Sequence, residues 1–359
     1  MRSSLVTIGS VELTPTESYE LIFTQFLNSD VGDGAASDDT RKTYRTNLKA
    51  FLIWCQKGNL DPLDATRSNL KAYRHWLISK KYQTTTISLK LSVVRRFYDA
   101  LIEASYLTSN PASGLKAPLS RHDPAERINY LQPDELYRLL ESLPTEDTVA
   151  ALRDRFLVAI MALQGCRTVE MHRARMGDIV RQGEDVGLRV SGKRSSRIVP
   201  LTPDLADLLE RYLRRRKRDG EKLSSEKPLF ISLANGTRGQ PLSRRSIQRI
   251  VERYFQLNDW KPTPARETKK KLDTKDGSKT KKATTPRLKK GRTVNTEQRH
   301  LSTHSLRHTA GTLALRAGAS LRQVQDLLGH KDPRTTIIYA HIADRWRNNP
   351  ALWLERPAL

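Results

Sequence analysis

The residues best suited to chemistry lie in the last fifth of the sequence, between positions 304 and 339. His304 and Arg307 are three residues apart, so on a helix they project from the same face. His330 follows a second amphipathic stretch, and Tyr339 comes nine residues after it. An arginine holds phosphate oxygens bidentately, a histidine exchanges protons near neutral pH, and a tyrosine can act as a nucleophile. Together these residues favour phosphoryl transfer.

A zinc site is an alternative for this stretch, because His304 and His308 stand four residues apart. Two histidines at this spacing share one helix face and can bind a metal ion together. The stretch lacks the glutamate of the H-E-x-x-H motif, and Cys55 and Cys166 lie far away in the sequence. Zinc is therefore the weaker interpretation, and no metal is expected. Taken singly, each of these histidines is more often structural than catalytic.

Apolar periodicity predicts the helices that would position these residues. One helix carries His304 and Arg307 and ends near Gly318, because glycine favours the position after the last helical turn. A second helix ends at Gly329, immediately before His330. The apolar positions that define the two helices are Leu306, Leu313, Leu315, Leu321, Val324, Leu327 and Leu328.

The composition indicates a polyanion as the partner. Of 359 residues, 63 are lysine or arginine and 39 are aspartate or glutamate, which gives a net charge of +24. Nucleic acid is the first candidate for so basic a chain, although ribosomal and chromatin-packing proteins share this property. The two cysteines form no disulfide framework, and no apolar run reaches membrane-spanning length. We therefore expect a cytoplasmic protein with no membrane partner.

Periodicity and composition divide the chain into two domains. Residues 1–14 are expected to form an irregular tail, residues 15–112 an all-α domain, and residues 113–130 a linker with two prolines. The helices of the first domain carry basic residues opposite their apolar positions. Such faces can bind DNA or can simply be solvated. The candidate DNA contacts are Arg41, Lys42, Arg45, Lys90, Arg95 and Arg96.

Residues 131–359 are predicted to form a domain of helices around a small antiparallel sheet. Short β-prone runs at 178–180, 188–190 and 197–199 are separated by glycine-containing turns, and the last turn presents Lys193. Arg167 follows the glycine that ends a long helix. Glu170 lies one turn further on. The whole chain is therefore expected to be mainly α with a small antiparallel β-sheet.

A lysine-rich segment interrupts the second domain at residues 261–299. Within 261–292 there are thirteen lysines or arginines, three acids and almost no apolar residues. Such a composition cannot bury a core. The segment is either a solvated insertion or a DNA contact that gains affinity by releasing counterions from phosphates. The candidate contacts are Lys269, Lys270 and Lys271.

Several strings in the sequence resemble the tyrosine recombinases, the family of phage integrases and Xer proteins. H-x-x-R-H at 304–308, L-G-H at 328–330 and T-T-x-x-Y at 335–339 are similar to its C-terminal signature. The string around Arg167 resembles the family's T-G-x-R-x-x-E motif, with Gln164 and Cys166 as departures. Lys193 aligns with the family's β-hairpin lysine. The amino-terminal helices resemble its core-binding, SAM-like domain. The resemblance implies a two-domain C-clamp, with the core-binding domain joined to a mixed α/β catalytic domain.

The resemblance also implies a mechanism, in which Tyr339 attacks a DNA phosphodiester and forms a 3′-phosphotyrosyl intermediate. Arg167, Arg307 and His330 would stabilise the charge that develops on the phosphate. His304 would take the tyrosine proton and Lys193 would protonate the leaving 5′-oxygen. Glu170 would support Arg167.

The implied partners are double-stranded DNA with an inverted-repeat core site, and three further copies of the chain. Four subunits would assemble on two DNA sites through the C-terminal tail. No metal or nucleotide cofactor is implied. The implied role is that of an integrase or transposase of a mobile element, acting at the nucleoid of a bacterial-type cell.

Two other functions share parts of this pattern. A type IB topoisomerase uses a similar catalytic set, but the helical amino-terminal domain and the T-T-x-x-Y ending favour a recombinase. A non-catalytic DNA-binding protein could keep the fold, but the presence of all six candidate catalytic residues argues against it. We therefore predict a site-specific DNA recombinase.

Overall fold

The computed structural model describes residues 7–8, 11–12, 15–29, 37–119, 128–192, 196–260 and 300–344. Side chains are described for 19–28, 37–119, 128–192, 196–260 and 300–340. The chain divides into two units, Met1–His122 and Asp123–Leu359, and the division falls within the segment predicted as a linker. The lysine-rich segment 261–299 and the tail beyond 344 lie outside the described residues.

The first unit is helical. Two of its helices begin at side-chain caps: Ser37 accepts the backbone N–H of Thr40 at the start of α2 (Asp38–Lys57), and Thr66 accepts that of Asn69 at the start of α3 (Arg67–Ser79). A minimal hairpin, β1 (Thr7–Ile8) paired with β2 (Val11–Glu12), lies in the segment predicted to be an irregular tail. The helices are α1 (Pro15–Ser29), α2 (Asp38–Lys57), α3 (Arg67–Ser79) and α4 (Thr84–Glu103).

An aromatic cluster forms the core of the first unit. Phe51 contacts the rings of Tyr73, Phe97 and Tyr98, with centroids 5.0 to 6.2 Å apart and edge-to-face geometry. All four rings are completely buried. Edge-to-face pairs add to the stability that burial provides, so this cluster fixes the packing of α2, α3 and α4.

The second unit is built around one buried helix, α6 (Val149–Gln164). Nearly every residue of α6 between 156 and 162 is apolar and buried, which is typical of a helix surrounded by others. It packs against both α8 (Pro203–Arg218) and α10 (Thr303–Arg316). The other helices of this unit are α5 (Pro133–Glu141), α7 (Thr168–Arg173), α8 (Pro203–Arg218), α9 (Arg244–Leu257), α10 (Thr303–Arg316), α11 (Leu321–Leu328) and α12 (Arg334–Asp344).

The sheet of the second unit has three antiparallel strands in the order β3 (Ile179–Gln182), β4 (Asp185–Ser191) and β5 (Ser196–Pro200). In its register, Leu188 of β4 lies opposite both Ile179 and Val199. Asp178 was predicted to begin the first strand, but it ends a short 3₁₀ turn. Its carboxylate accepts the backbone N–H of Arg175 at 2.8 Å, which holds the turn and delays the strand by one residue.

The fold is thus mainly α with a small antiparallel sheet, as predicted. Within the described ranges, none of the helices combines the length and apolar character needed to cross a bilayer.

Candidate active site

The turn between α6 and α7 brings the first arginine into the site. Gly165 ends α6 with a left-handed φ of +63°, and a Cβ there would lie 2.5 Å from Cδ2 of Leu328 in α11. Only glycine fits this close approach without strain. Arg167 follows at the N-terminal end of α7. The turn therefore places Arg167 beside α11 and α10.

Glu170 orients Arg167 through two hydrogen bonds. The backbone N–H of Arg167 donates to Oε2 of Glu170 at 2.7 Å, and its Nη1 donates to Oε1 at 2.8 Å. The Glu170 side chain is 0% exposed, whereas that of Arg167 is 30% exposed. Burial alone would raise the pKa of Glu170, but hydrogen bonds from Arg197 and Arg167 lower it, so the carboxylate is charged. One side of Arg167 is thereby fixed and the other reaches solvent.

Arg307 lies deeper, on the inner face of α10. Its Nη1 donates to the carbonyl oxygen of Gly165 at 2.7 Å, and its Nη2 donates to that of Leu328 at 2.5 Å. The residue is only 2% exposed. Burial, together with the charge of Arg167, lowers its pKa to about 10, so it stays protonated at neutral pH. Arg307 joins α10 to the ends of α6 and α11.

Two histidines follow one another along α10. Ser302 caps the helix by accepting the backbone N–H of His304 at 3.2 Å. The rings of His304 and His308 meet edge to face, with centroids 5.3 Å apart. His304 reaches the surface, whereas His308 is half-buried. Burial of part of its ring, followed by the charges of Arg307 and Arg167, lowers the pKa of His304.

Tyr339 on α12 faces His308 and His330. Its hydroxyl lies 2.9 Å from Nδ1 of His308, and its ring stacks on that of His330 with centroids 6.0 Å apart. The residue is 3% exposed. Burial raises the pKa of Tyr339, although the charges of Arg307 and Arg167 oppose this shift. The phenol is therefore protonated at neutral pH, and it shares a hydrogen bond with Nδ1 of His308.

The histidines that touch Tyr339 are neutral. Burial, then the charge of His304 and of Arg307, lowers the pKa of His308 to about 4. Burial and the charges of Arg307 and Arg167 lower that of His330 to about 3. Nδ1 of His330 lies 2.9 Å from the hydroxyl of Thr336, which fixes the ring. A neutral imidazole keeps one N–H group, which can donate a hydrogen bond to an oxygen of a nearby phosphate.

A basic cavity of about 620 Å³ adjoins the site. Arg167 and His304 form one side of it, and the N-terminal end of α9 forms the other with Arg244, Arg245 and Gln248. Positive side chains and the N-terminal end of a helix both favour anions. The cavity is therefore suited to phosphate groups that continue from the site.

The structure brings together Arg167, Glu170, His304, Arg307, His330 and Tyr339, six of the residues selected from the sequence. Lys193 and Lys269, Lys270 and Lys271 lie outside the described residues.

The basic candidates of the first unit differ in their surroundings. Lys42, Arg45 and Arg96 are exposed. Arg95 is half-buried and donates to the carbonyl oxygen of Leu115 at 2.8 Å, which is a structural contact. Two other candidates have side-chain partners within the first unit. Lys90 donates a hydrogen bond to Oδ1 of Asn47 at 3.1 Å, and Nη1 of Arg41 lies 3.7 Å from Oδ1 of Asp38.

His308 contacts Tyr339 in this site, although the sequence pattern indicated it only as a possible zinc ligand. The H-x-x-R-H string could have indicated this role, because His308 lies one turn after His304 on the same helix face. Among the described residues, no group of three histidines, cysteines or acids could hold a metal ion.

The chain is similar to known proteins over most of its length. The model of the phage integrase family matches residues 129–268 and 267–345, and that of the phage integrase N-terminal SAM-like domain matches residues 23–105. The tyrosine recombinase XerC of Thermodesulfovibrio yellowstonii is 27% identical over 334 residues, covering 92% of this chain and 93% of that protein.

Two solved structures share the fold. One is the XerH site-specific recombinase bound to a palindromic difH substrate after cleavage, with a TM-score of 0.67 and 17% identity over 98% of this chain and 100% of that one. The other is a lambda integrase tetramer bound to a Holliday junction, with a TM-score of 0.59 and 17% identity over 94% of this chain and 78% of that one.

The family match spans more than half of the sequence, so the chain belongs to the phage integrase family of tyrosine recombinases. It is a site-specific recombinase, an enzyme that cleaves DNA and exchanges strands, and the topoisomerase alternative is not favoured.

Proposed function

We propose that this recombinase cuts DNA with Tyr339 as the nucleophile, in the site formed by α7, α10, α11 and α12. The supporting observation is the meeting of one phenol with neutral imidazoles and two charged guanidinium groups. Attack of the Tyr339 oxygen on the scissile phosphorus forms the 3′-phosphotyrosyl bond and breaks the bond to the 5′-oxygen. The covalent bond conserves the energy of the phosphodiester, so a 5′-hydroxyl of another duplex can reverse the step without a nucleotide.

The charge of the transition state is stabilised by Arg167, Arg307 and His330. Negative charge gathers on the non-bridging oxygens, and bidentate guanidinium contacts are the strongest side-chain partners for it. Arg167 has a free side towards the basic cavity, and His330 is fixed by Thr336. All these groups are side chains, so the reaction needs no metal ion.

Two protons move in the step. The phenol must lose its proton, because its pKa lies far above neutral pH, and we assign the acceptor role to His304 at the edge of the basic cavity. The leaving 5′-oxygen must gain a proton, and we assign the donor role to Lys193. The proton balance of the step is then complete, with one proton taken from Tyr339 and one given to the 5′-hydroxyl.

Attack on DNA requires α12 to leave the position that it has in this structure, which we call the closed arrangement. Tyr339 and Arg307 are both almost fully buried, so a phosphate reaches them only if α12 moves relative to α10. In the closed arrangement the hydroxyl of Tyr339 is bonded to His308, not to His304. We infer that His308 holds the nucleophile while DNA is absent and releases it when α12 moves.

The DNA is proposed to cross the basic cavity, with Arg244 and Arg245 on phosphates next to the scissile one. In the first unit, Lys42, Arg45 and Arg96 are the exposed candidates for further contacts. Arg41, Lys90 and Arg95 are weaker candidates, because each contacts a neighbour in its own unit. Lys269, Lys270 and Lys271 belong to the basic insertion. Both units are proposed to contact the same duplex.

The number of strand cuts sets the number of subunits that must assemble. Each subunit carries one nucleophile, and exchange between two duplexes needs four cuts, so four subunits are required. We propose that each binds half of an inverted-repeat core site and that the C-terminal tail links neighbours. The tetrameric state of the lambda integrase relative supports this arrangement. The natural setting is a mobile element in a bacterial cytoplasm.

Mapping the covalent link tests the proposal. A core site can be selected from random DNA by its affinity for the protein, and a nick beside the scissile phosphate then traps the intermediate. Trypsin should release the nucleotide on one peptide, residues 335–345, which contains Tyr339. A nucleotide on any other peptide would contradict the assignment of the nucleophile.

A further inference from the structure

Arg197, the second residue of β5, contacts the same buried carboxylate that holds Arg167. Its Nη1 donates to Oε1 of Glu170 at 2.7 Å, and its Nη2 lies 3.3 Å from Oε2. The side chain of Glu170 is 0% exposed and that of Arg197 is 15% exposed. Glu170 thus accepts hydrogen bonds from two guanidinium groups that come from different elements of the fold.

The same guanidinium reaches the end of α11. Its Nε donates to the carbonyl oxygen of Leu327 at 3.0 Å. The helix ends at Gly329, which has a φ of +63°, and a Cβ there would lie 2.8 Å from Cδ of Arg197. The arginine stem therefore packs directly on the backbone that leads into His330. Any side chain at position 329 would displace it.

Arg197 also changes the charge available to a phosphate. Glu170 carries one negative charge, which a single arginine would neutralise. With Arg197 and Arg167 both bound to it, the group of three keeps one net positive charge. In a site with little water, one charge close to the phosphate has a large effect on the transition state. Loss of Arg197 would leave Arg167 as half of a neutral ion pair.

We propose that Arg197 is a positioning residue for strand cleavage: through Glu170 it orients Arg167 and keeps its charge available, and through Leu327 it holds the α11 end before His330. The inference rests on the proposed function, because it acts through Arg167 and His330. Arg197 does not line the basic cavity, and its hydrogen bonds go to Glu170 and Leu327 and not to Tyr339. Its contribution should therefore appear in the rate of cleavage and not in DNA affinity.

The test compares Arg197→Gln and Arg197→Lys with wild type in single-turnover cleavage of a nicked core site at saturating protein. Misplacement of charged groups by about 1 Å costs about 100-fold in rate, so Arg197→Gln should cleave about 10- to 100-fold more slowly. Arg197→Lys keeps the charge but cannot bond Glu170 and Leu327 together, so its rate should be intermediate. Half-site affinity should stay within about threefold of wild type in both variants.

Arg189→Gln is the matched control. Arg189 is exposed and lies on β4 opposite Ile198. Its replacement by glutamine removes the same charge from the same sheet. Its cleavage rate should equal that of wild type. Thermal unfolding by circular dichroism checks that each variant is folded, and Arg197→Lys carries the comparison if Arg197→Gln is not.

A neutral substrate separates positioning from a general loss of structure. A methylphosphonate at the scissile position has no negative charge, so the charge of Arg167 matters little there. The rate deficit of Arg197→Gln should shrink to about threefold on this substrate, whereas a structural defect would slow both substrates equally.

Equal deficits on the two substrates, or an Arg197→Gln rate equal to that of Arg189→Gln, would overturn the inference. Neither result touches the function proposed above, because wild type would still form the covalent complex through Tyr339. Failure of wild type to form that complex would instead refute the proposed function.

Discussion

Replacing His308 with alanine should weaken the closed position of α12, which carries Tyr339, but should leave the proposed catalytic groups in place. In the closed arrangement His308 is the hydrogen-bond partner of the Tyr339 hydroxyl, at 2.9 Å, and the tyrosine is 3% exposed. A buried hydroxyl left without a partner costs about 1–3 kcal/mol. The closed arrangement of α12 should therefore lose about 1–3 kcal/mol relative to the open one. Since about 1.4 kcal/mol corresponds to a tenfold change, the equilibrium constant for opening should rise about 5- to 150-fold.

Hydrogen exchange measured by mass spectrometry reports this equilibrium in the DNA-free protein. Amides of α12 should exchange faster in His308→Ala by about 5- to 150-fold, while those of α6 should not change. His308→Asn is the rescue variant, because its amide group sits close to the position of Nδ1 and can bond the hydroxyl again. His75→Ala, in the first unit, controls for the loss of a histidine elsewhere.

Two results would refute this reasoning. Exchange in α12 that is unchanged in His308→Ala, or that rises together with that of α6, would show that the contact does not hold α12. In single-turnover cleavage, His304→Ala should lose about 100- to 10,000-fold, as expected for removal of a proton acceptor, and His308→Ala should lose less than about tenfold. The reverse order would make His308 the acceptor.

Three further predictions test other parts of the account. Lys193→Ala should slow cleavage, and a bridging 5′-phosphorothiolate should restore it, because a thiolate leaves without a proton; no restoration would mean that Lys193 is not the proton donor. Truncation after Arg347 should abolish cooperative filling of the full core site but spare half-site binding, as gel-shift titrations would reveal; unchanged cooperativity would exclude the tail as the connector. The low folded pKa of His308, about 4, means that only the unfolded chain binds its proton as pH falls from about 6.5 towards about 4, so the free energy of unfolding should fall in that range. Urea titrations of His308→Asn should give a smaller fall than wild type, and equal falls would contradict the assignment.

Contacts within one helical turn could be predicted from the sequence. Glu170 follows Arg167 by three residues, and the resemblance to the T-G-x-R-x-x-E motif predicted the ion pair that the structure contains. His304 and Arg307 likewise lie on one helix, α10. The small sheet was predicted from β-prone runs, with an error of one residue where the carboxylate of Asp178 stabilises a turn.

Contacts between distant elements could not be predicted in this way. His308 and Tyr339 are 31 residues apart and meet only because α10 packs against α12. Arg197 and Leu327 are 130 residues apart, and their hydrogen bond depends on the position of β5 beside the end of α11. Single-sequence periodicity gives the faces of helices and strands but not which faces meet. Arg95 illustrates the same limit, since its basic side chain bonds a backbone carbonyl.

The most direct test of the central claim is covalent trapping with Tyr339→Phe, which removes only the hydroxyl. On the nicked core site, in EDTA and without nucleotide, wild type should form a protein–DNA complex that survives denaturing electrophoresis. Tyr339→Phe should form none, although its half-site affinity should match that of wild type. A denaturation-resistant complex with the phenylalanine variant, or a wild-type reaction that requires added Mg²⁺, would contradict the account.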